Sequence, residues 1–135
     1  MVRALSVETH GQGLHEITGV VQEAVRAAGV AEGLCTVFVQ HTSASLLIQE
    51  NADPSAKHDL ERWLERLVPE GDPSYTHDTE GPDDMPAHIR SALTATSLSI
   101  PILDARLALG TWQGLYLWEH RRRGGRRRLV LHIGH

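Results

Sequence analysis

The sequence predicts an α+β domain: a mainly antiparallel, sandwich- or barrel-like sheet with two to three helices, ending in a C-terminal β-hairpin. Three observations carry this reading. Residues 34 to 41 alternate with the period of a strand, Cys35, Val37, Val39 and His41 on one face and Thr36, Phe38 and Gln40 on the other. Elsewhere apolar residues recur every three to four positions, as on the buried stripe of a helix. The two kinds of segment follow one another without the strict strand-helix-strand alternation of a parallel fold.

Taken in order, Met1 to His10 alternates polar and apolar residues and lacks the apolar core of a signal peptide. Val20, Val21, Ala24, Val25 and Ala28 then mark a first helix, with Thr18 placed to cap it and Gly29 to stop it. After the strand at 34 to 41, "SLLIQEN" reads as a second strand. Asp53 caps a second helix that begins at Pro54, buries Leu60, Trp63, Leu64 and Leu67, and stops before Pro69. Glu70 to Met85 is rich in Gly, Pro and Asp, and a connection of that length is usually functional or disordered; its "YTHD" points to function. A short helix follows from about Pro86, then a strand at "SLSIPIL". Last come two alternating stretches on either side of Gly124-Gly125, a pair suited to the positive φ of a tight turn.

Composition sets the outer bounds. No repeat, low-complexity linker or break in composition divides the chain, so residues 1–135 read as one domain of ordinary hydrophobic content. A single cysteine, Cys35, excludes an intrachain disulfide, and no apolar run reaches the ~18 residues of a membrane span. These features lead us to expect a soluble protein of the reducing cytoplasm. Six of the 12 arginines sit in "RRRGGRRR", Arg121 to Arg128; without them the chain holds 7 basic against 17 acidic residues. One basic tip on an acidic body, without interleaved aromatics, argues against a nucleic-acid partner.

Three stretches combine histidine with carboxylates and small hydroxyl residues: "QHTSASLLIQENADP", "YTHDTEGPDDMPAHIR" and "GTWQGLYLWEHR". Alone, His41 on an apolar strand face reads most simply as a hydrogen-bonded core residue. His77 and His88 change its meaning, because a catalytic zinc-type site commonly takes three protein ligands and keeps one position open. We therefore take His41, His77 and His88 as candidate metal ligands, although His77 and His88 match no compact zinc spacing. Glu50, Asp53 and Asp59 are candidate acid-base or orienting groups, with capping a sufficient role for Asp53. Asp83 and Asp84 read as a solvated turn, or as carboxylates holding hydrated Mg²⁺ against a diphosphate.

In a two-residue hairpin at 124 and 125, Arg123 would face Arg126, Arg122 would face Arg127, and Arg121 would face Arg128. Like charges in register destabilise a ladder, so the tip either splays into solvent or meets an anion or an acidic partner. Glu119 would lie opposite Val130 on the face of Leu117, where a carboxylate needs an arginine, from this chain or a neighbouring subunit. Trp112, Tyr116 and Trp118 line the other face as core or, preferably, interface.

"QHTSASLLIQENADPSAKHDLERWL", "YTHDTEGPDDMPAHIRSAL" and "LALGTWQGLYLWEHR", in that order and over roughly three-quarters of the chain, resemble the YjbQ family, also called the secondary thiamine-phosphate synthase family. The resemblance implies a small α+β protein that forms a homotrimer, with its histidines and acids in a cleft near the subunit interface. On that basis the site comprises His41, Glu50, Asp59, His77 and His88, supported by Glu119. The implied activity joins a pyrimidine methyl diphosphate to a thiazole phosphate, forming thiamine phosphate and releasing pyrophosphate. Thr42, Ser43, Ser45, Arg90 and Arg121 are the residues expected to hold phosphate, since a departing diphosphate needs hydroxyl, guanidinium and metal contacts. Diphosphate chemistry generally uses Mg²⁺, whereas histidines favour zinc or another transition metal. The same residues also fit a metal-dependent hydrolase of a small phosphorylated substrate, or a non-catalytic trimer that binds a metal or anion.

Overall fold

Eight strands and three helices follow one another along the chain: β1 (Val2–Thr9), β2 (Gly13–Glu16), α1 (Thr18–Ala28), β3 (Gly33–Val39), β4 (Ala44–Glu50), α2 (Pro54–Leu67), α3 (Asp84–Leu93), β5 (Ser97–Leu103), β6 (Arg106–Leu107), β7 (Gln113–Glu119) and β8 (Gly125–Gly134). The computed structural model describes all of residues 1–135. Every strand pairing is antiparallel, and the strands form two sheets, β1-β8-β3-β5-β6 and β2-β7-β4. This is the expected α+β architecture, and no helix is long and apolar enough to cross a membrane.

The strand period sets the core. Cys35, Val37 and Val39 of β3, Ile100 and Ile102 of β5, and Leu129, Leu131 and Ile133 of β8 turn the same way and are buried. They meet Ala44, Leu46, Leu115 and Leu117 from the smaller sheet and Val21, Ala24 and Val25 from α1. Burying one such aliphatic side chain contributes about 1.5–3 kcal/mol. β7 is buried on both faces, because its other face packs Tyr116 and Trp118 against Leu14, Leu64 and Val68 under α2. Those two aromatics are therefore core, not the interface expected of them, and only Trp112 stays largely exposed.

The helices begin and end largely where their local chemistry directs. Asp53 caps α2 by accepting from the Ser55 N–H at 2.9 Å, and Gly29 ends α1 in the left-handed conformation. Thr18 is inside α1 instead of capping it, its hydroxyl accepting from the Leu115 N–H and so tying the helix to β7. Of the apolar stripe expected on α2 only Leu64 is fully buried, while Trp63 and Leu67 are exposed.

The two C-terminal strands are joined by the expected glycine turn but pair with other strands. Gly124 and Gly125 do adopt positive φ, but β7 and β8 do not form a ladder with one another. β7 lies between β2 and β4, and β8 lies between β1 and β3, so the chain crosses from one sheet to the other at this turn. The expected arginine pairs do not form, and Val130 faces Ala4 and Phe38 instead of Glu119. Three strand ends, with their side chains, thereby converge beside the turn.

Candidate functional site

The third helix begins with Asp84 and carries His88 one turn later, so both side chains project from one face. The preceding loop brings His77 and Glu80 to the same place. Asp84 Oδ2 lies 2.8 Å from His77 Nε2 and 3.1 Å from His88 Nε2, and the two rings are 5.4 Å apart. One ligand atom from each of His77, Glu80, Asp84 and His88 lies within 4.8 Å of the others.

Surrounding groups hold these atoms in place. His88 Nδ1 donates to the Thr42 carbonyl at 3.0 Å, which in a neutral ring leaves the Nε2 lone pair facing the cluster. This is the usual support for a metal-ligating imidazole. Arg121 Nη1 donates to Asp84 Oδ1 at 2.6 Å while its Nε donates to Asp83 Oδ2 at 3.0 Å. Burial works to raise the Asp84 carboxyl, but hydrogen bonding with Glu80 and His77 and the charges of His88 and Arg121 hold it below the ordinary carboxylate range. Two imidazoles and an ionised carboxylate suit zinc or a similar transition metal better than Mg²⁺.

Of the three histidines proposed as ligands, His77 and His88 come together and His41 is not in the group; Asp84 takes the third place. The reading of Asp83 and Asp84 as a solvated turn fails, since both are buried behind Arg121. The sequence signal for Asp84 is its i,i+4 spacing to His88, which counts only because the helix starts at Asp84, two residues before Pro86.

His41 lies just past β3, partly buried. Its Nε2 accepts the Arg128 backbone N–H at 2.8 Å and its Nδ1 lies 3.3 Å from Arg127 Nη1. Burial, and then the Arg127 charge, lower its pKa below the usual histidine value. Arg127 in turn is held by Glu119, on the β7 face it shares with Leu117, and reaches Ser43 Oγ with Nη2 at 3.1 Å. The arginine expected to neutralise Glu119 thus comes from the same chain.

Ser43, Asp83 and the segment from Arg121 to Arg127 line an open groove of about 690 Å³, the size of a small-molecule site. Arg121 joins it to the histidine cluster. Four of the six tip arginines are bound by this chain's own acids: Arg121 by Asp83 and Asp84, Arg122 by Glu70, Arg126 by Glu8 and Arg127 by Glu119. Arg123 faces the groove without a carboxylate partner.

The remaining sequence candidates lie elsewhere. Glu50 ends β4 opposite Gln113, about 20 Å along the strand from Ala44, so it stands far from the histidine cluster. Asp59 is exposed on α2 and bonds to nothing in the cluster. Ser45 is buried against His120 Nε2 at 2.8 Å, turned away from the groove. Arg90, 3% exposed, donates from Nη2 to the Val68 carbonyl, while its Nε and Nη1 and the Nδ1 of His120 have no protein partner. It is an interior cation and not a surface phosphate ligand.

Comparison with known proteins agrees with the fold. A family model described as UPF0047 protein YjbQ-like matches residues 3–135. A UPF0047 protein of Synechocystis sp. is 57% identical over 129 residues, covering 96% of this chain and 88% of that protein. The UPF0047 protein YjbQ of Escherichia coli O157:H7 is 43% identical over 129 residues, covering 95% and 93%. A crystal structure of an uncharacterised YjbQ/UPF0047 family protein from Clostridium acetobutylicum superposes with a TM-score of 0.88 at 36% identity, over 98% of this chain and 99% of that one. A conserved hypothetical protein from Thermus thermophilus gives 0.87 at 33% identity, over 98% and 99%.

Proposed function

The chain belongs to the YjbQ family, and on that premise we propose that it is a metal-dependent enzyme acting on a small phosphorylated molecule. The observation that carries the proposal is the convergence of His77, Asp84 and His88 beside a groove of arginines, with Arg121 touching both. His77 Nε2, His88 Nε2 and Asp84 Oδ2 would hold a divalent metal, with Glu80 available as a fourth ligand. Such a metal supplies charge stabilisation to a phosphoryl oxygen. The chain's own groups do the rest. Arg123 and Ser43 bind the phosphate, and Arg121, fixed by Asp83 and Asp84, sets its distance from the metal ligands.

The reaction we favour is thiamine-phosphate formation of the secondary synthase type. The exocyclic methylene carbon of the pyrimidine loses its bond to diphosphate oxygen and gains one to the thiazole nitrogen. The negative charge leaves with pyrophosphate, where arginines are placed to receive it. The histidine-rich ligand set favours one alternative, hydrolysis of a phosphate ester at a transition metal.

A homotrimer in the cytoplasm is part of the same proposal. Val2, Leu34 and Phe38 share the uncovered outer face of the larger sheet and offer apolar surface for assembly.

The deciding experiment uses protein from a host that lacks thiamine-phosphate synthase, assayed with both phosphorylated substrates and added Zn²⁺, Mn²⁺ or Mg²⁺. We expect thiamine phosphate from the native protein and none from His88→Ala. No product with any metal rules out this reaction, and turnover of a phosphate-ester panel would then favour the hydrolase.

A further inference from the structure

His41 presents a problem that hydrogen-bond geometry resolves in one direction. Both of its ring nitrogens face donors: Nε2 faces the Arg128 backbone N–H at 2.8 Å and Nδ1 faces Arg127 Nη1 at 3.3 Å. A neutral imidazole has one acceptor and one N–H, so only one of these contacts can be a hydrogen bond. The shorter contact cannot hold two protons between its nitrogens. Nε2 is therefore the acceptor, Nδ1 carries the proton, and Nδ1–H and the Arg127 guanidinium are two donors side by side. A second proton on the ring would meet the same two donors, and the ring's lowered pKa agrees with the neutral form.

Two adjacent donors that cannot bond each other are placed to share one acceptor. Ser43 Oγ, 3.1 Å from Arg127 Nη2, adds a hydroxyl at the same place. Ser43 also lines both the arginine groove and a second groove formed by Phe38, Val39, Gln40, His41, Thr42 and Thr96. Arg127 cannot turn away, because Glu119 holds its Nε and Nη2 from inside the protein.

The geometry points to an oxyanion site in which His41 Nδ1–H, Arg127 Nη1 and Ser43 Oγ receive one oxygen of a ligand phosphate at the junction of the two grooves. His41 is then a neutral donor that positions the substrate, and has no part in metal binding. The site deepens the function proposed above, resting on a phosphorylated ligand in the arginine groove, but it requires no metal. The ligand class is a phosphate ester or diphosphate whose remaining atoms extend along the second groove past Phe38.

Calorimetric titration of the full-length protein with inorganic pyrophosphate in chelator-treated buffer tests the site. Wild type should bind, and His41→Phe, which removes the donor, should weaken binding by about ten-fold or more, as for the loss of one hydrogen bond to a charged group. His41→Asn, which keeps an N–H near the Nδ1 position, should stay within about three-fold of wild type. Histidine ¹⁵N spectra of the wild type should show His41 protonated on Nδ1, with that signal moving when pyrophosphate is added. Absence of wild-type binding, undiminished binding by His41→Phe, or an Nε2-protonated ring overturns the inference. A parallel zinc titration separates this proposal from the previous one. Zinc bound through His77 and His88 without pyrophosphate binding removes the oxyanion site alone. Pyrophosphate bound through His41 without zinc binding removes the metal-dependent enzyme alone.

Discussion

Glu119 and Arg127, eight residues apart, form an ion pair in the interior, with Arg127 Nε 2.7 Å from Glu119 Oε1 and Nη2 on Oε2. Thr9 Oγ1 donates to the same carboxylate at 2.6 Å and the Arg121 N–H at 3.0 Å, so a fully buried acid is surrounded by donors. The pair joins the end of one sheet to the start of the other, at the crossover where the arginine groove begins.

Breaking this pair from one side should be costly. Glu119→Ala leaves a guanidinium with little solvent access, and we expect a loss of about 3–5 kcal/mol in urea denaturation at pH 7. The double variant Glu119→Leu with Arg127→Met removes both charges and should recover much of that loss. Burial raises the Glu119 carboxyl, but the Arg127 and Thr9 hydrogen bonds outweigh it and leave the pKa below the ordinary 4.5. Its stabilisation is thus present above the unfolded value and lost as pH falls through the folded one. Glu119→Gln should flatten the acid limb of the stability curve below about pH 4.5. An acid limb as steep as wild type's would show that other carboxylates govern it.

Metal affinity should separate the histidines. His77→Ala, His88→Ala and Asp84→Asn are each expected to weaken zinc binding by at least ~100-fold, since each removes a proposed ligand or its charge. His41→Ala should bind zinc at wild-type stoichiometry. Calorimetry with the four variants checks this, and loss of zinc from His41→Ala would restore the three-histidine set.

His120 adds a second pH dependence at a different range. Burial, reinforced by the Arg90 charge, pushes its pKa from 6.5 down to about 3, so the folded protein keeps it neutral. For a base, that depression makes the protein most stable above the unfolded value. Stability should fall as pH drops from about 6.5 towards 3, by several kcal/mol in the limit. Urea midpoints between pH 7 and 4.5 should decline in wild type and less so in His120→Gln. Equal slopes would mean that His120 gains a compensating contact when it protonates.

The turn between the sheets tolerates no side chain at one of its two glycines. A Cβ on Gly124, at φ +70°, would lie 2.5 Å from Thr9 Oγ1 and 2.6 Å from the Thr9 carbonyl oxygen, whereas one on Gly125 meets nothing within 4 Å. Gly124→Ala should therefore cost about 2 kcal/mol or more and disturb the Thr9–Glu119 bond, with Gly125→Ala costing only its backbone strain of order 1 kcal/mol. Thermal melts of the two variants give the comparison. Equal losses would show that the turn shifts to relieve the contact.

Much of this protein could be read from the order of its residues. The period of two in β3 and β8, the Asp53 cap with Pro54 behind it and the left-handed stop at Gly29 are short-range effects, decided by neighbours a few positions apart. Glu119's need for an arginine also followed from the face it shares with Leu117, because burial of a charge costs the same whichever strand supplies the partner. What could not be read were choices between distant partners. The Gly124-Gly125 turn looks the same locally whether it closes a ladder or passes the chain from sheet to sheet, and only the pairing of β8 with β1 and β3 settles which. That Asp84 and not His41 stands beside His77 and His88 is hidden for a like reason. Residue type marks both as candidate ligands, but ligation depends on distances of a few ångströms between a loop, a helix and a strand end, and those exist only once the two sheets have packed.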